Sequence, residues 1–522
     1  MNDGNAAARV IQDLRGVVGA ARAGARLPSV RELTARHHAS PVTVAAAIRA
    51  LVKEGLVETR PGQGTFVARR ATVSERAPDL TWQTVALGAR RPGEHELGAL
   101  LAIPPAGAIP LSGGYLEPEL QPAAALGAAL ARVARQPAAW QRGPAEGRED
   151  LRAWFAGEVG LRADDMVICP GGQAALSSAL RALAAPGDTL LVESPTYLGA
   201  LAAARAAGLH VVPVPADADG VLPDQLAAAF RRTGARLFYC QPLHANPTGA
   251  TLAADRRGVV LSAVREAGAF VIEDDYARDL TIDGNPPPPL AWDDVDGHVI
   301  YLRSLTKSAA PGLRIAAIGA RGPAGARLRT VRLSDELFVA GPLQQAALEF
   351  VTSPAWDRHR RHLRTALRVR RDALLSALHR HLPATAVPTH IGGRDVAAGS
   401  APMLTGGPEV PAGSAPVLTG GPGVAAGPAP ILGGGPARSS AAASTPKGGL
   451  HLWLRLDDGF DDVGVAAAAA ANGVVVFPGR PWFAAEAPAP HLRLTYAAAP
   501  PELMDEAVRR LSAAIAASRP TS

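Results

Sequence analysis

Near the start of the chain, apolar residues recur at helical spacing. Val10, Ile11, Leu14, Val17 and Val18 form one stripe, and Val44, Ile48 and Leu51 form another. Between them, Ser29-Val30-Arg31-Glu32 has the form of a capping box, in which a serine side chain and a glutamate satisfy backbone donors reciprocally. Ser40-Pro41 predicts the start of a third helix, a capping serine followed by proline at the first helical position. With Val44, Ile48 and Leu51 turned inward, that helix presents Thr43, Ala46, Arg49 and Lys53 outward. A glycine-punctuated, β-rich stretch follows, Thr59-Arg60-Pro61-Gly62-Gln63-Gly64-Thr65-Phe66-Val67. Helix, helix, turn, helix and a two-stranded wing make up a winged helix-turn-helix over residues 1–70, an order that suits a recognition helix to the major groove of DNA.

Past this unit the periodicity changes. Residues 71–108 read as a linker, and from about residue 109 to 522 short apolar runs alternate with longer alanine-rich helical stretches. That alternation predicts an α/β main domain on a mostly parallel central sheet. The expected strands are Met166–Cys169, Thr189–Glu193, Val211–Val214, Leu237–Cys240, Ala269–Glu273, Val299–Arg303 and Ile315–Gly319. Residues 392–447 fit neither period: a 14-residue unit starts at Ala397, Pro411 and Ala425, and each copy joins Ala-Pro to Gly-Gly-Pro or Gly-Gly-Gly-Pro. A repeat this short, without strand or helix pattern inside it, predicts a disordered low-complexity Gly/Pro/Ala insertion rather than a solenoid. Strand-like alternation resumes at Leu450-His451-Leu452-Trp453-Leu454-Arg455-Leu456.

Composition narrows the field. At 522 residues the chain is too long for one core, and 48% apolar with 19% charged residues is a globular balance. A net charge of +6 does not identify a nucleic-acid partner, because the cations must be gathered on one surface to do that. The first residues lead into a charged amphipathic stretch without the apolar core of a secretory signal, so export is not expected. The longest apolar run, Val463 to Phe477, is broken by Asn472 and Gly473 and falls short of the roughly 18 residues a membrane span needs. The two cysteines, Cys169 and Cys240, lie in apolar segments, so neither a disulfide framework nor a metal site is expected and a reducing cytoplasm is the default location.

Of 53 basic side chains only three are lysines, Lys53, Lys307 and Lys447, so chemistry that needs an amine has three candidates. Pyridoxal phosphate asks for a lysine to form an imine, an acid for its pyridine nitrogen, donors to its phenolate oxygen, a ring to stack on and a phosphate cradle. Lys307 follows the apolar strand Val299 to Leu302 in Ser304-Leu305-Thr306-Lys307, whereas Lys53 belongs to the helical head and Lys447 to the edge of the insertion. Lys307 is therefore the candidate imine former. Gly171-Gly172-Gln173, between a strand and a helix, suits an anion through backbone amides and the positive helix end.

Two resemblances add to this reading. The run from Leu27-Pro28-Ser29-Val30-Arg31-Glu32-Leu33 through Gly55-Leu56-Val57 to the wing is similar to the GntR-type winged helix. That likeness implies DNA contacts at Arg31, Ser40, Thr43, Arg60 and Gly62, joined by Arg49 on the outward face of the recognition helix; Pro41 stands where the family often carries a basic residue. Residues 109–390 and 448–515 resemble fold-type I, class I aminotransferases, and the whole resembles the MocR-type regulators that join such a domain to a GntR head.

By that resemblance, Glu273-Asp274-Asp275-Tyr276 supplies the pyridine acid Asp274 and the phenolic donor Tyr276, with Asp275 the weaker candidate acid. His244-Ala245-Asn246-Pro247-Thr248-Gly249 supplies Asn246 for the phenolate oxygen. Tyr197 stacks on the ring; Gly172, Gln173, Ser304 and Arg314, whose fork suits phosphate oxygens, hold the phosphate. In Pro490-His491-Leu492-Arg493 the arginine holds an effector or substrate carboxylate, and Trp140 replaces a tyrosine that the family contributes across a dimer interface. The expected protein is a homodimeric, DNA-binding transcription regulator that senses pyridoxal phosphate or an amine or amino acid through Lys307. The rival expectation is a working aminotransferase with an accessory DNA-binding head.

Overall fold

The computed structural model describes residues 3–68, 80–87, 98, 101–382 and 445–519. It divides into two compact units, Met1–Arg90 and Arg91–Ser522. The repeat insertion lies outside the described residues except for positions 445–447, as does most of the expected linker, in which Thr81–Leu87 is helical.

In the first unit, helices α1 (Asp3–Ala20), α2 (Val30–His37) and α3 (Pro41–Lys53) precede a hairpin of β1 (Val57–Arg60) and β2 (Gly64–Val67). Val10, Leu14, Leu33, Val44, Ile48, Leu51, Val57 and Val67 make its core. The capping box forms as expected: Ser29 N donates to Glu32 Oε2 at 2.7 Å and Glu32 N to Ser29 Oγ at 3.3 Å. Ser40 caps α3 by accepting from Thr43 N at 3.1 Å. The outward placement of Thr43 is corrected here, since it is only 8% exposed. Its hydroxyl turns back to Ser40 Oγ at 2.7 Å, a local bond that draws the side chain against the helix start. The hairpin pairs Val57 with Val67 and Arg60 with Gly64, and Gly62 takes the positive φ of 71° that its turn requires.

The second unit is built on eight strands: β4 (Met166–Cys169), β5 (Thr189–Ser194), β6 (His210–Asp217), β7 (Gly220–Val221), β8 (Leu237–Cys240), β9 (Phe270–Asp274), β10 (Val299–Ser304) and β11 (Ala316–Gly319), after a short β3 (Ile109–Pro110). Their spatial order is β4-β11-β10-β9-β8-β5-β6-β7. Strands β10, β9, β8, β5 and β6 run parallel, β11 opposes both of its neighbours, and β7 folds back on β6. The sheet is buried on both faces: Leu191, Phe238, Val271, Tyr301 and Ala317 belong to one apolar cluster, Leu190, Leu237, Ile272, Ile300 and Ala316 to another. Two-sided burial explains why these strands read as continuous apolar runs in the sequence.

A smaller antiparallel sheet sets β15 (His491–Thr495) between β12 (His451–Arg455) and β14 (Phe477–Pro478), while β13 (Val474–Val475) pairs with β3. Leu452, Leu454, Leu492 and Leu494 pack with Leu363, Leu367 and Leu374 of the helix Pro354–His381 and with Val508 and Leu511 of Met504–Ala517. Both cysteines are free and buried. Among the described residues, no helix is long and apolar enough to cross a membrane.

Candidate functional site

In an open α/β sheet the ends of parallel strands leave a crevice lined by the loops that follow them. Here β5 leads to Tyr197, β8 to Gln241 and Asn246, β9 ends on Asp274 and leads to Tyr276, and β10 ends on Ser304 and leads to Lys307. Strand β4, parallel to these by way of two antiparallel pairings, leads to Gly171-Gly172-Gln173.

Lys307 donates from Nζ to Gly114 O at 2.7 Å, with Nζ 3.6 Å from the centre of the Tyr115 ring. Burial pushes its ammonium down to about 7, and the charges of Arg493 and Arg314 push the same way against the pull of Asp274. Near neutral pH a large share of this amine is therefore unprotonated and nucleophilic.

Asp274 is 5% exposed, and its Oδ2 accepts from Tyr239 Oη at 2.7 Å and from Gln241 Nε2 at 2.9 Å. Burial raises its pKa to about 6, and those two hydrogen bonds hold it from going higher, so it is mostly ionised at neutral pH. Its Oδ1 takes neither bond. Gln241 also accepts, through Oε1, from Asn246 N at 2.9 Å, and its own backbone N–H donates to Glu193 at 2.9 Å. Burial lifts the Glu193 carboxyl to about 7. Asn246 Oδ1 accepts from Arg493 Nη1 at 3.3 Å, which leaves the amide nitrogen of Asn246 as a donor. Tyr276 donates to His244 O at 2.7 Å. Asp275, the weaker candidate, faces elsewhere: its carboxylate takes the Tyr301 hydroxyl at 2.8 Å and the Arg278 guanidinium.

Next to this cluster lies a cradle. Gly171 has φ 98°, and a Cβ on it would collide with the Arg314 guanidinium; a Cβ on Gly172 would meet Ser304 Cβ at 3.5 Å. Arg314 is anchored by Pro170 O at 2.8 Å. The first backbone N–H groups of the helix Gly172–Leu183 have no partner within the helix and suit an anion. Both ends of the Gln173 side chain are engaged, Nε2 with Gly199 O at 2.9 Å and Oε1 with the Tyr197 hydroxyl at 3.1 Å. Gln173 brings its backbone N–H to this cradle, and its side-chain nitrogen keeps one N–H beyond the bond to Gly199 O. Thr306, which the sequence reading passed over, has a buried hydroxyl without a partner beside Lys307.

Arg493 on β15 is 0% exposed and lies 4.4 Å from the Trp482 ring and 5.4 Å from the Phe477 ring. It also donates to Ser112 O, its Nε is unpartnered, and among the described residues no carboxylate pairs with it. Burial lowers its pKa to about 9. A buried guanidinium without an acid is costly unless an anion arrives.

All ten residues expected in the cofactor and effector site meet in this one region. Tyr239, Gln241, Glu193, Tyr115 and His451 were missed. Trp140 is 67% exposed and donates from Nε1 to Ala134 O at 3.1 Å. In the first unit Arg31, Ser40, Arg49, Arg60 and Gly62 are exposed. Arg60 stacks over Phe66 at 4.5 Å and donates from Nε to Glu58 at 3.1 Å, whereas Arg31 and Arg49 have no ion pair among the described residues.

Known proteins share both halves. The gntR family of bacterial regulatory proteins matches residues 4–67, and the family of class I and II aminotransferases matches residues 118–392, more than half of the chain. The uncharacterized HTH-type transcriptional regulator YdfD of Bacillus subtilis is 30% identical over 368 residues, 69% of this chain and 76% of that one. The probable rhizopine catabolism regulatory protein MocR of Rhizobium meliloti is 27% identical over 394 residues, 70% and 75% of the two chains. Among solved structures, the α-aminoadipate aminotransferase LysN of Thermus thermophilus, complexed with N-(5'-phosphopyridoxyl)-L-leucine, is 27% identical with a TM-score of 0.67, over 83% of this chain and 98% of that one. With a GntR head followed by a fold-type I aminotransferase body, the chain belongs to the MocR-type transcriptional regulators of the GntR superfamily.

Proposed function

We propose that the second unit holds pyridoxal phosphate at Lys307, and that an amine or amino-acid effector whose carboxylate reaches Arg493 changes how the winged helix grips promoter DNA. The residues fit that cofactor. Gly171 lets the Arg314 guanidinium lie against the backbone where any Cβ would clash, which brings Arg314 and Ser304 beside the helix start at Gly172 as a phosphate cradle would need. Asp274 is held by two donors on one oxygen, which keeps it ionised for a pyridine nitrogen. Asn246 keeps a free amide donor and Tyr197 a ring beside Gln173, whereas the Tyr276 hydroxyl, expected as a donor, gives its one proton to His244 O and is left only as an acceptor. When bound, pyridoxal phosphate supplies an aldehyde that a primary amine can take up covalently.

The observation that carries this reading is the placement of the Lys307 amine, bonded at 2.7 Å to Gly114 O, in one buried region with Asp274, Asn246 and the Arg493 guanidinium, which no carboxylate pairs with among the described residues. Lys307 would hold the cofactor through its free amine, Arg493 would bind and orient a carboxylate, and the Asp274 carboxylate would face the ring nitrogen. The head side chains Arg31, Ser40, Arg49 and Arg60, with the Gly62 turn, contact DNA in this reading; the buried Thr43 instead supports the Ser40 cap. A homodimer would read two half-sites.

The test is reconstitution of full-length protein with pyridoxal phosphate. A visible absorbance band that survives desalting, its loss in Lys307→Ala, and a mobility shift of upstream DNA that responds to amino acids are the expected results. Protein that stays colourless would overturn the reading. A working aminotransferase is the second reading, favoured by the joint retention of Asn246, Asp274, Tyr276 and Lys307. Sustained turnover of an amino donor with a keto acid, without specific DNA binding, would select it.

A further inference from the structure

Four buried histidines are found among the described residues, His244, His359, His451 and His491. Three are hydrogen-bonded within the protein: His244 Nε2 to Thr281 Oγ1 at 3.0 Å, His359 Nε2 to Ser308 O at 2.6 Å and His491 Nδ1 to Ala489 O at 2.8 Å. His451 differs. It is 3% exposed and its Nδ1 has no partner. A buried polar atom left unbonded in a folded protein asks for an explanation, and a ligand is one of the few available.

Register places this ring. On paired strands β12 and β15, His451 lies opposite Thr495 and Trp453 opposite Arg493. Opposed residues, and residues two apart on one strand, share a face of the sheet, so His451 and Arg493 stand on the same face as diagonal neighbours. Phe477 of β14, opposite Arg493, shares it too. Gly114 marks where this face meets the amine: a Cβ there would lie 3.5 Å from Lys307 Nζ and 4.0 Å from His451 Cε1. The imidazole thus lies close to both groups assigned to an effector, its amine partner Lys307 and its carboxylate partner Arg493.

We propose that His451 is the specificity-determining residue of this pocket, taking a hydrogen-bonding oxygen on the side chain of an α-amino acid whose carboxylate lies on Arg493. The inference rests on the Lys307 reading above. Burial, and then the charges of Arg493 and Lys307, hold the imidazole neutral, well below its ordinary range. A neutral imidazole carries one N–H and one lone pair, so it can serve a hydroxyl, an amide or a carboxylate. An aliphatic side chain in the same place would leave that ring nitrogen unbonded, and a cationic one would meet the Arg493 guanidinium as a like charge. The effector class is therefore the hydroxy, amide and acidic amino acids.

The test uses full-length protein loaded with pyridoxal phosphate and ligand pairs that match in shape but differ in a side-chain oxygen, L-threonine against L-valine and L-aspartate against L-leucine. Binding is read from the visible absorbance of the loaded protein and independently by calorimetry. The oxygen-bearing member of each pair is expected to bind on the order of tenfold more tightly, the penalty of leaving one buried polar atom unbonded. His451→Phe should bring both ratios towards one, and His451→Gln, which keeps a donor and an acceptor, should preserve the preference. Ratios unchanged in His451→Phe, or a native preference for valine and leucine, would overturn the proposal while leaving the Lys307 reading intact. Failure of the native protein to load would overturn that reading and this inference with it.

Discussion

The two units handle charge in opposite ways. In the first, Arg31, Arg49 and Arg60 stand in water on a small scaffold that buries apolar residues and no charged one among those described. In the second, Lys307, Asp274 and Arg493 are carried out of water, and burial is the largest of the effects that move each of their protonation equilibria. Exposed cations bind a long polyanion through many weak, salt-screened contacts, and the loss of any one is modest. Desolvated groups bind one small molecule through a few contacts, each of which is costly to lose. A protein that reads DNA and senses a metabolite needs both regimes, and here they are separated by unit.

Variants can test that contrast, beginning with the severest. Lys307→Ala should abolish covalent retention of pyridoxal phosphate, measured by absorbance after desalting. In the native protein the rate of attachment should rise as pH increases through about 7, because the free amine, a shrinking minority below that point, is the reacting form. Arg493→Ala should weaken binding of a carboxylate-bearing effector by about a hundredfold, as expected for loss of a buried charge partner, while leaving effector-free DNA binding unchanged. Equal losses in both assays would break the comparison.

Gln241→Leu should lower cofactor affinity by about tenfold, because one donor to Asp274 disappears. The same change should move the pH midpoint of cofactor binding upward from about 6, since the acid is then ionised only at higher pH. A substitution that merely loosened packing would leave that midpoint where it was. Arg49→Ala should weaken binding to DNA severalfold and reduce the salt slope by about one, read from binding isotherms at several ionic strengths. Ser29→Ala, which removes the capping bond to Glu32, should cost the head about 1 kcal/mol in thermal or denaturant unfolding and leave cofactor loading untouched.

Local signals in the sequence carried far. The capping box, the Ser40-Pro41 helix start and the apolar strands each depend on residues a few positions apart, and each was legible for that reason. Thr43 was misjudged because helical periodicity counts faces and takes no account of a hydroxyl that bonds back to its own N-cap. The Gln173 side chain is tied to Tyr197 and Gly199, a pairing that only the folded loop after β5 creates and that no local pattern announces. Tyr239, Gln241 and His451 were invisible for a related reason. Their roles depend on which strands become neighbours: Tyr239 and Gln241 reach Asp274 because β8 lies beside β9, and His451 reaches the pocket because β12 lies beside β15. The candidate cofactor and effector residues could be grouped through family resemblance, but the side chains that contact them could not.

Strand β11 runs against its neighbours, and this reversal has a practical result. A parallel successor to β10 would have had to cross to the far edge of the sheet before starting again, taking the chain away from the crevice. By doubling back at once, the backbone passes from Lys307 to Arg314 without leaving the cavity rim, and Arg314 occupies the left-handed turn, φ 52°, immediately ahead of that returning strand. The amine and the guanidinium at the cradle are thus spaced by one short connection, and a single residue inserted between them would shift one relative to the other while both flanking strands kept their pairing.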